Sequence, residues 1–197
     1  MWNTPVIVPL KILVVFFHEV SHGLLAVLSG GRIERISVSL QQGGLTVTRG
    51  GNLFLITSAG YVGSLLIGVL LFLAAVRSRA DRKIMALLGL AMLVIAGLYM
   101  REIFALGFAL ATGLAMLGSA KYLSRRVNDA ALRVIGLTSM VYVPFDILSD
   151  TILRSSQPSD AYNLAQQVGG AAWLWGGVWL AISLAVIWWA LRKGLRL

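Results

Sequence analysis

The 197-residue sequence contains no cysteine and few charged residues. The absence of cysteine excludes disulfide bonds, thiolate zinc sites and cysteine nucleophiles, and it leaves the redox compartment undetermined. Charged residues make up only 13% of the chain, whereas 58% of the residues are hydrophobic. A soluble domain needs more polar surface than this to cover its core. The composition therefore indicates an integral membrane protein, which we expect in the cell membrane.

The apolar residues form six segments that are long enough, or nearly long enough, to cross a bilayer, which takes about 20 residues of helix. They are 5–28, 53–76, 84–100, 103–119, 131–153 and 171–191. We therefore predict an all-α integral membrane bundle of about six transmembrane helices, in a single domain over residues 1–197. The first segment is not a cleaved signal peptide, because it lacks a basic start and carries Lys11, His18 and Glu19.

Two smaller elements are predicted outside these segments. In residues 34–49, apolar residues alternate with Ser, Thr and Gln on both sides of a Gln-Gln-Gly-Gly turn. This period of two around a turn predicts a small membrane-associated β-hairpin between the first two helices. In a later polar stretch, Pro158-Ser159-Asp160 is typical of a helix start. We expect a short surface helix there, at about 159–168.

The formal net charge of +9 comes mostly from loops and from the C-terminal end. The basic residues concerned are Arg77, Arg79, Arg82, Lys83, Lys121, Arg125, Arg126, Arg192, Lys193 and Arg196. Loop charge of this kind sets membrane topology and contacts anionic headgroups. We therefore expect the lipid bilayer to be a partner of these residues, and we expect no nucleic-acid partner.

An H-E-x-x-H motif, His18-Glu19-Val20-Ser21-His22, lies inside the first apolar segment, and its histidines are the only two in the chain. Positions four apart share one helix face, so both imidazoles can bind one zinc ion. Zinc makes water more acidic, and Glu19 can take a proton from that water as general base. Ionisable groups this deep in a bilayer usually serve a function. The motif predicts one Zn²⁺ per chain, against the alternative of a polar cluster that only joins helices.

A catalytic zinc needs a third protein ligand. Four of the eight acidic residues fall in predicted loops or surface segments, where solvation explains them: Glu34, Asp81, Asp129 and Asp160. A simple ion pair or a helix-end charge explains Glu102. We predict Asp146 as the third ligand, in a helix that Pro144 bends. Asp150 is the second choice; its alternatives are to orient a ligand imidazole or to pair with Arg154.

These features resemble the site-2 protease family of intramembrane zinc metalloproteases, especially its compact branch without a PDZ domain. The resemblance covers the H-E-x-x-H helix, the hairpin, the glycine-rich second helix and Pro144-Phe145-Asp146. In that family two histidines and a distant aspartate bind zinc, and the glutamate is the base. The family's usual order is Asn-Pro-x-Asp-Gly, but here the Asn is absent and Ile147 follows Asp146. Ser159-Asp160-Ala161 also looks like the compact branch, although we give Asp160 no catalytic role.

The resemblance implies an endopeptidase that cuts peptide bonds in or near transmembrane segments of substrate proteins. A substrate helix must unwind first, and unpaired backbone groups in lipid are costly. An exposed strand edge can pair with the extended substrate. We therefore expect the hairpin edge to bind substrate, through Ile36, Val38, Leu40, Leu45 and Val47. A hairpin whose edge meets only solvent is the alternative.

Three other functions remain open at this stage. A zinc transporter would use the same ligand types, but the helices offer few further ionisable groups for a pathway. A catalytically silent membrane scaffold would retain the metal site without cleavage. A different membrane zinc protease would use Glu102 as third ligand. Orientation is also open, because positive-inside counting places the hairpin outside the cytoplasm, whereas the resemblance implies the cytosolic side.

Overall fold

The computed structural model describes residues 7–154 and 158–194, most of which are helical. The helices are α1 (Val8–Leu28), α2 (Leu53–Arg77), α3 (Asp81–Tyr99), α4 (Ile103–Tyr122), α5 (Arg125–Leu148), α6 (Asp160–Val168) and α7 (Ala172–Gly194). One turn of π-helix, Ser149–Leu153, continues α5. Two strands, β1 (Arg32–Val38) and β2 (Gly44–Arg49), form an antiparallel hairpin between α1 and α2.

Six of the described helices, α1 to α5 and α7, are long and apolar enough to cross a membrane. This confirms the predicted all-α bundle with its small β-hairpin. Helix α5 begins earlier than the apolar segment 131–153, because its polar first turns belong to the helix but not to the apolar run. The side chain of Ser124 caps this start by accepting a hydrogen bond from the backbone N–H of Val127 at 3.4 Å. The start of the predicted 5–28 segment lies outside the described residues.

Helix α1 is the most enclosed of the six spans, whereas α3, α4 and α7 leave most of their surface exposed. Residues 11–17 of α1 are all buried, and apart from Lys11 this run is entirely apolar. A helix that is apolar on every face is suited to such a central position. Around it lie α2, α5 and both strands of the hairpin. The H-E-x-x-H motif follows directly after this buried run, so the central helix carries it into the bundle.

Small residues allow α2 and α5 to approach each other closely. The hydroxyl of Ser139 in α5 donates a hydrogen bond to the carbonyl oxygen of Ser64 in α2 at 2.8 Å. One turn further along α2, Gly68 lies against Ser139 and Gly136. Helix α5 then continues through Pro144 to its π-helical turn. The packing of these two helices positions the end of α5 beside the motif of α1.

The hairpin folds back along α1 instead of lying apart from the bundle. Near its start, Ile33 contacts Gly23 of α1, and at the beginning of β2 Gly44 contacts Glu19. Its turn residue Gln42 lines a cavity together with Lys11, so the tip reaches the first half of α1. The hairpin therefore re-enters the bundle beside the motif.

The two faces of the hairpin have different surroundings. Ile36 pairs with Thr46 and Val38 pairs with Gly44, and residues that are paired across strands share a face. This inner face packs on α1, and both Ile36 and Val38 belong to the hydrophobic core. The outer face carries Ser37, whose hydroxyl donates a hydrogen bond to the Glu102 carboxylate. Among the described elements, α3 and α4 contact β1, whereas β2 contacts only β1 and α1. No further described strand or helix therefore covers the outer edge of β2.

Candidate metal centre

Helix α1 directs both histidines of the motif toward one carboxylate. The Nε2 atom of His18 lies 2.9 Å from Oδ2 of Asp160, and the Nε2 atom of His22 lies 3.2 Å from the same oxygen. The two imidazole rings are 4.7 Å apart between centroids. One ligand atom from each of the three residues lies within 4.8 Å of the others. Two imidazoles and one carboxylate form a donor set typical of zinc sites.

A backbone hydrogen bond sets the tautomer of His22. Its Nδ1 lies 2.6 Å from the carbonyl oxygen of Ile56 in α2. Because a carbonyl oxygen can only accept, Nδ1 carries the hydrogen, and the Nε2 of the neutral ring presents a lone pair. Metal-binding histidines are commonly oriented by such a bond from the second ring nitrogen. The His22 ring is thus prepared to bind a cation through Nε2.

Asp160 is the first residue of α6, and local structure turns its side chain inward. Ser159 caps the helix by accepting a hydrogen bond from the backbone N–H of Tyr162 at 3.2 Å. Ala161 and Leu164 are fully buried and pack this short amphipathic helix into the bundle. Helix α6 contacts α2 and α7. The anchored helix therefore places Asp160 beside the histidines of α1.

The environment of Asp160 fits a metal ion. Its Oδ2 is buried and has no hydrogen-bond partner in the part of the chain that the structure describes. Burial opposes ionisation, but positive charge on the neighbouring imidazoles of His22 and His18, which they carry only when protonated, outweighs burial and holds the pKa of the Asp160 carboxyl below its ordinary value. When the rings are neutral, that positive charge is missing. A carboxylate oxygen and the His22 Nε2 lone pair, both acceptors, thus face each other. A cation between them would satisfy both atoms.

The third carboxylate in this group is not the one predicted from the sequence. Within residues 7–154 and 158–194 the ligand-type group contains Asp160 and does not include Asp146, although Asp146 lines the same cavity. Asp150, the second choice, accepts a hydrogen bond from the Tyr61 hydroxyl and pairs with Arg154. Glu102 lies against Ser37. The spacing of residues along α5 could not reveal that Asp160 lies beside the histidines, because the position of Asp160 depends on how α6 packs.

A signal for Asp160 was present in the sequence. Ser159-Asp160-Ala161 resembles the compact branch, and an N-cap serine predicts where the helix starts. We expected a solvated side chain because the stretch around Asp160 is polar. Asp81, also expected to be solvated, is fully buried and pairs with Arg125 at 3.0 Å. For both residues, a polar neighbourhood in sequence was a poor guide to burial.

Glu19 is buried beside the histidines, and strand β2 holds it there. The Thr46 hydroxyl lies 2.7 Å from Oε2 of Glu19 and 2.9 Å from its backbone carbonyl oxygen. Gly44 is adjacent, and a Cβ at that position would collide with the Glu19 carboxylate. Glycine is therefore required for the strand to approach this closely. Glu19 is thus a buried carboxylate next to the candidate metal ligands.

Helix α2 approaches the imidazoles from the other side. A Cβ added at Gly60 would collide with Nε2 of His18 and would lie 2.6 Å from Nε2 of His22. The next residue, Tyr61, places its ring edge-on to the His18 ring, with 5.0 Å between centroids. Gly60 thus leaves the space in which both Nε2 atoms lie, and Tyr61 confines the His18 ring.

A cavity of about 480 Å³ opens onto this group. Its lining includes Glu19, both histidines, Asp160 and residues at the start of β2. A second cavity of about 230 Å³ shares Gln42, Asp146 and Arg154 with the first. The candidate metal ligands and Glu19 are thus reached from one cavity.

The predicted substrate-binding residues of the hairpin separate into two groups. Ile36 and Val38 are core residues on the inner face, so their side chains do not face the cavity. Leu40 and Leu45 are exposed, and Val47 is partly buried. Leu45 also lines the cavity. The exposed apolar side chains are thus those at the turn and on β2.

Comparison with known proteins identifies one family. The model of the family described as Peptidase M50B-like matches residues 1–190, which is nearly the whole chain. The match confirms the resemblance to site-2 proteases that the motif and hairpin indicated. No curated protein and no solved structure matches the chain.

Proposed function

This chain belongs to the Peptidase M50B-like family, and from that premise we propose that it is a zinc-dependent intramembrane endopeptidase of the site-2 type. Family membership implies a peptidase, and the six candidate spans make it a multi-pass integral membrane protein. The substrates we propose are transmembrane segments of other proteins in the cell membrane. The observation that carries the proposal is the convergence of His18, His22 and Asp160 beside a buried Glu19.

In the proposed site, His18, His22 and Asp160 hold one zinc ion. When bound, zinc supplies Lewis-acid chemistry, which makes water more acidic and polarises a carbonyl group. Asp160 replaces Asp146 in this proposal because its Oδ2 lies 2.9 and 3.2 Å from the two imidazole nitrogens. Asp146 remains a cavity-lining carboxylate.

Glu19 is the proposed general base. Its carboxylate takes a proton from the attacking water as the water oxygen bonds to the peptide carbonyl carbon. The same proton then passes to the leaving nitrogen as the carbon–nitrogen bond breaks. The cavity that Glu19 lines gives this carboxylate access to a bound peptide.

The substrate would bind as an extended strand at the free edge of β2, between Gly44 and Val47. This part of the strand lies beside Glu19, and among the described elements only β1 and α1 contact β2. Strand addition satisfies the backbone groups that unwinding exposes in lipid. Leu45 and Val47 would contact the substrate side chains. Ile36 and Val38 would instead hold the inner face of the hairpin against α1.

The test is metal content and cleavage by the full chain purified in detergent, with a model transmembrane peptide as substrate. We expect one zinc per chain in the wild type. Glu19→Gln should retain zinc and lose cleavage by about 10²- to 10⁴-fold, the usual contribution of a positioned base. The control Glu34→Gln removes an exposed glutamate of β1 and should behave as the wild type.

Two results would contradict this proposal. A wild-type protein that contains no zinc would contradict the proposed metal centre. Undiminished cleavage by Glu19→Gln would contradict the proposed role of Glu19 as general base. Bound zinc without cleavage would favour a catalytically silent scaffold. Movement of zinc into proteoliposomes without cleavage would instead favour a transporter.

A further inference from the structure

Strand β2 contacts Glu19 through a side chain whose role the proposed chemistry does not explain. The Thr46 hydroxyl lies within hydrogen-bond distance of Oε2 of Glu19, at 2.7 Å, and of its backbone oxygen, at 2.9 Å. Glu19 is 6% exposed, so bulk water cannot readily replace this donor. A hydrogen bond to a buried charged group is stronger than a neutral one. The contact is therefore suited to fixing the orientation of the carboxylate.

The same strand also limits where the carboxylate can lie. Gly44, two residues before Thr46 and on the same face, leaves room for Oε1 and for the end of the side chain. The Glu19 carboxylate is thus confined between α1 and β2. Oε2 thus contacts Thr46, and Oε1 lies against Gly44.

We propose that Thr46 is a positioning residue for Glu19, and that β2 thereby joins substrate binding to alignment of the base. This inference rests on the proposed function. A substrate that pairs with the free edge of β2 would fix the position of β2. The hydrogen bond from Thr46 would then fix the orientation of the Glu19 carboxylate. Positioning of a catalytic group to within a fraction of an ångström strongly affects rate. The strand that receives the substrate thus also holds the base.

The experiment compares Thr46→Val, Thr46→Ser and Thr48→Val in the full chain purified in detergent. Valine keeps the shape of threonine but removes the donor, and serine keeps the donor. Thr48 is the matched control, because it lies two residues along on the same face and no hydrogen bond between its side chain and Glu19 is found among the described residues. For each variant we measure zinc per chain, melting temperature, and kcat and KM on a model transmembrane peptide.

We expect Thr46→Val to lower kcat about 10- to 100-fold, as for loss of one hydrogen bond to a charged group. Its KM, zinc content and melting temperature should stay close to those of Thr48→Val. Thr46→Ser should recover most of the lost kcat. In the Glu19→Gln background, Thr46→Val should have little further effect on residual turnover, because Thr46 is proposed to act only through the Glu19 carboxylate.

The inference is overturned if Thr46→Val cleaves as the wild type does, or if serine fails to restore kcat. It is also overturned if Thr46→Val loses zinc or melts well below Thr48→Val, because the threonine would then be structural. Each of these results requires a wild type that binds zinc and cleaves. Failure of the proposed function is therefore recognised separately, in the wild type itself.

Discussion

The hydroxyl of Tyr61 donates a hydrogen bond to the carboxylate of Asp150, and the Tyr61 ring lies edge-on to the imidazole of His18. Asp150 also pairs with Arg154 four residues later. This carboxylate is thus bound by two partners, whereas Oδ2 of Asp160 has no hydrogen-bond partner in the described chain. The two aspartates line one cavity but differ in what their oxygens are free to bind.

The first prediction concerns the third ligand. We expect Asp160→Asn to lower zinc affinity by more than about 100-fold, since even groups that only orient a ligand contribute about 10- to 100-fold. Asp146→Asn should change zinc affinity little, because Asp146 lies outside the group formed by the two histidines and Asp160. Zinc per chain, measured after dialysis against a graded series of chelator concentrations, checks both variants.

The two variants also serve as controls for each other, since each removes one carboxylate charge from the lining of the same cavity. If Asp146→Asn released zinc and Asp160→Asn kept it, the ligand predicted from the sequence would be the correct one. Glu102→Gln should keep zinc as well, because Glu102 accepts its hydrogen bond from Ser37 in β1. Loss of zinc from that variant would support the protease that uses a glutamate ligand.

The sequence predicts the spans and the hairpin well because both follow from local patterns. Apolar length identifies a membrane helix, and a period of two around a turn identifies a hairpin. The boundaries are less accurate where a helix continues into polar residues, as at Arg125. The H-E-x-x-H pair also follows from helix geometry alone, because residues four apart share a face. No long-range contact is needed for these inferences.

The third carboxylate and the partners of Glu19 depend on long-range packing, which a single sequence does not reveal. Asp160 reaches the histidines because Ala161 and Leu164 bury one face of α6. Thr46 reaches Glu19 because the hairpin folds back along α1. Short polar segments carry weak local signals, so tertiary contacts decide their position. The contacts of Asp160 and of Glu19 therefore follow from how α6 and the hairpin pack, and not from their local sequence patterns.

The second prediction concerns Gly60. Its α-carbon faces both Nε2 atoms, and a methyl group there would overlap the space between them. We expect Gly60→Ala to abolish zinc binding and to destabilise the fold by about 1–3 kcal/mol, the usual cost of overpacking. The control is Gly118→Ala in α4, where an added Cβ has open space. This control should keep zinc and gain up to about 1 kcal/mol from helix propensity.

Zinc content and melting temperature in detergent check the two alanine variants. The comparison separates a local steric effect from the general effect of replacing a helical glycine. Normal zinc binding by Gly60→Ala would mean that the imidazoles do not occupy the position described. Equal losses in both variants would point to a general effect on helix packing.

The third prediction concerns orientation in the membrane. The structure brings most loop cations to one end of the bundle: Arg77 donates a hydrogen bond to the Lys193 carbonyl oxygen at 2.8 Å, and Arg82 donates to that of Leu123. The hairpin and α6 are at the opposite end, which carries fewer cations. The cation-rich end is expected on the cytoplasmic side. The candidate site then opens toward the other side of the membrane.

The absence of native cysteine makes this prediction directly testable. Two single-cysteine variants, Gln166→Cys on the exposed surface of α6 and Leu123→Cys in the α4–α5 turn, mark the two ends of the bundle. A membrane-impermeant maleimide should label Gln166→Cys on intact cells and Leu123→Cys only after permeabilisation. The reverse pattern would place the site on the cytosolic side, as the site-2 protease resemblance implies. In that case the loop cations would not set the topology, and cleavage products would leave toward the cytosol.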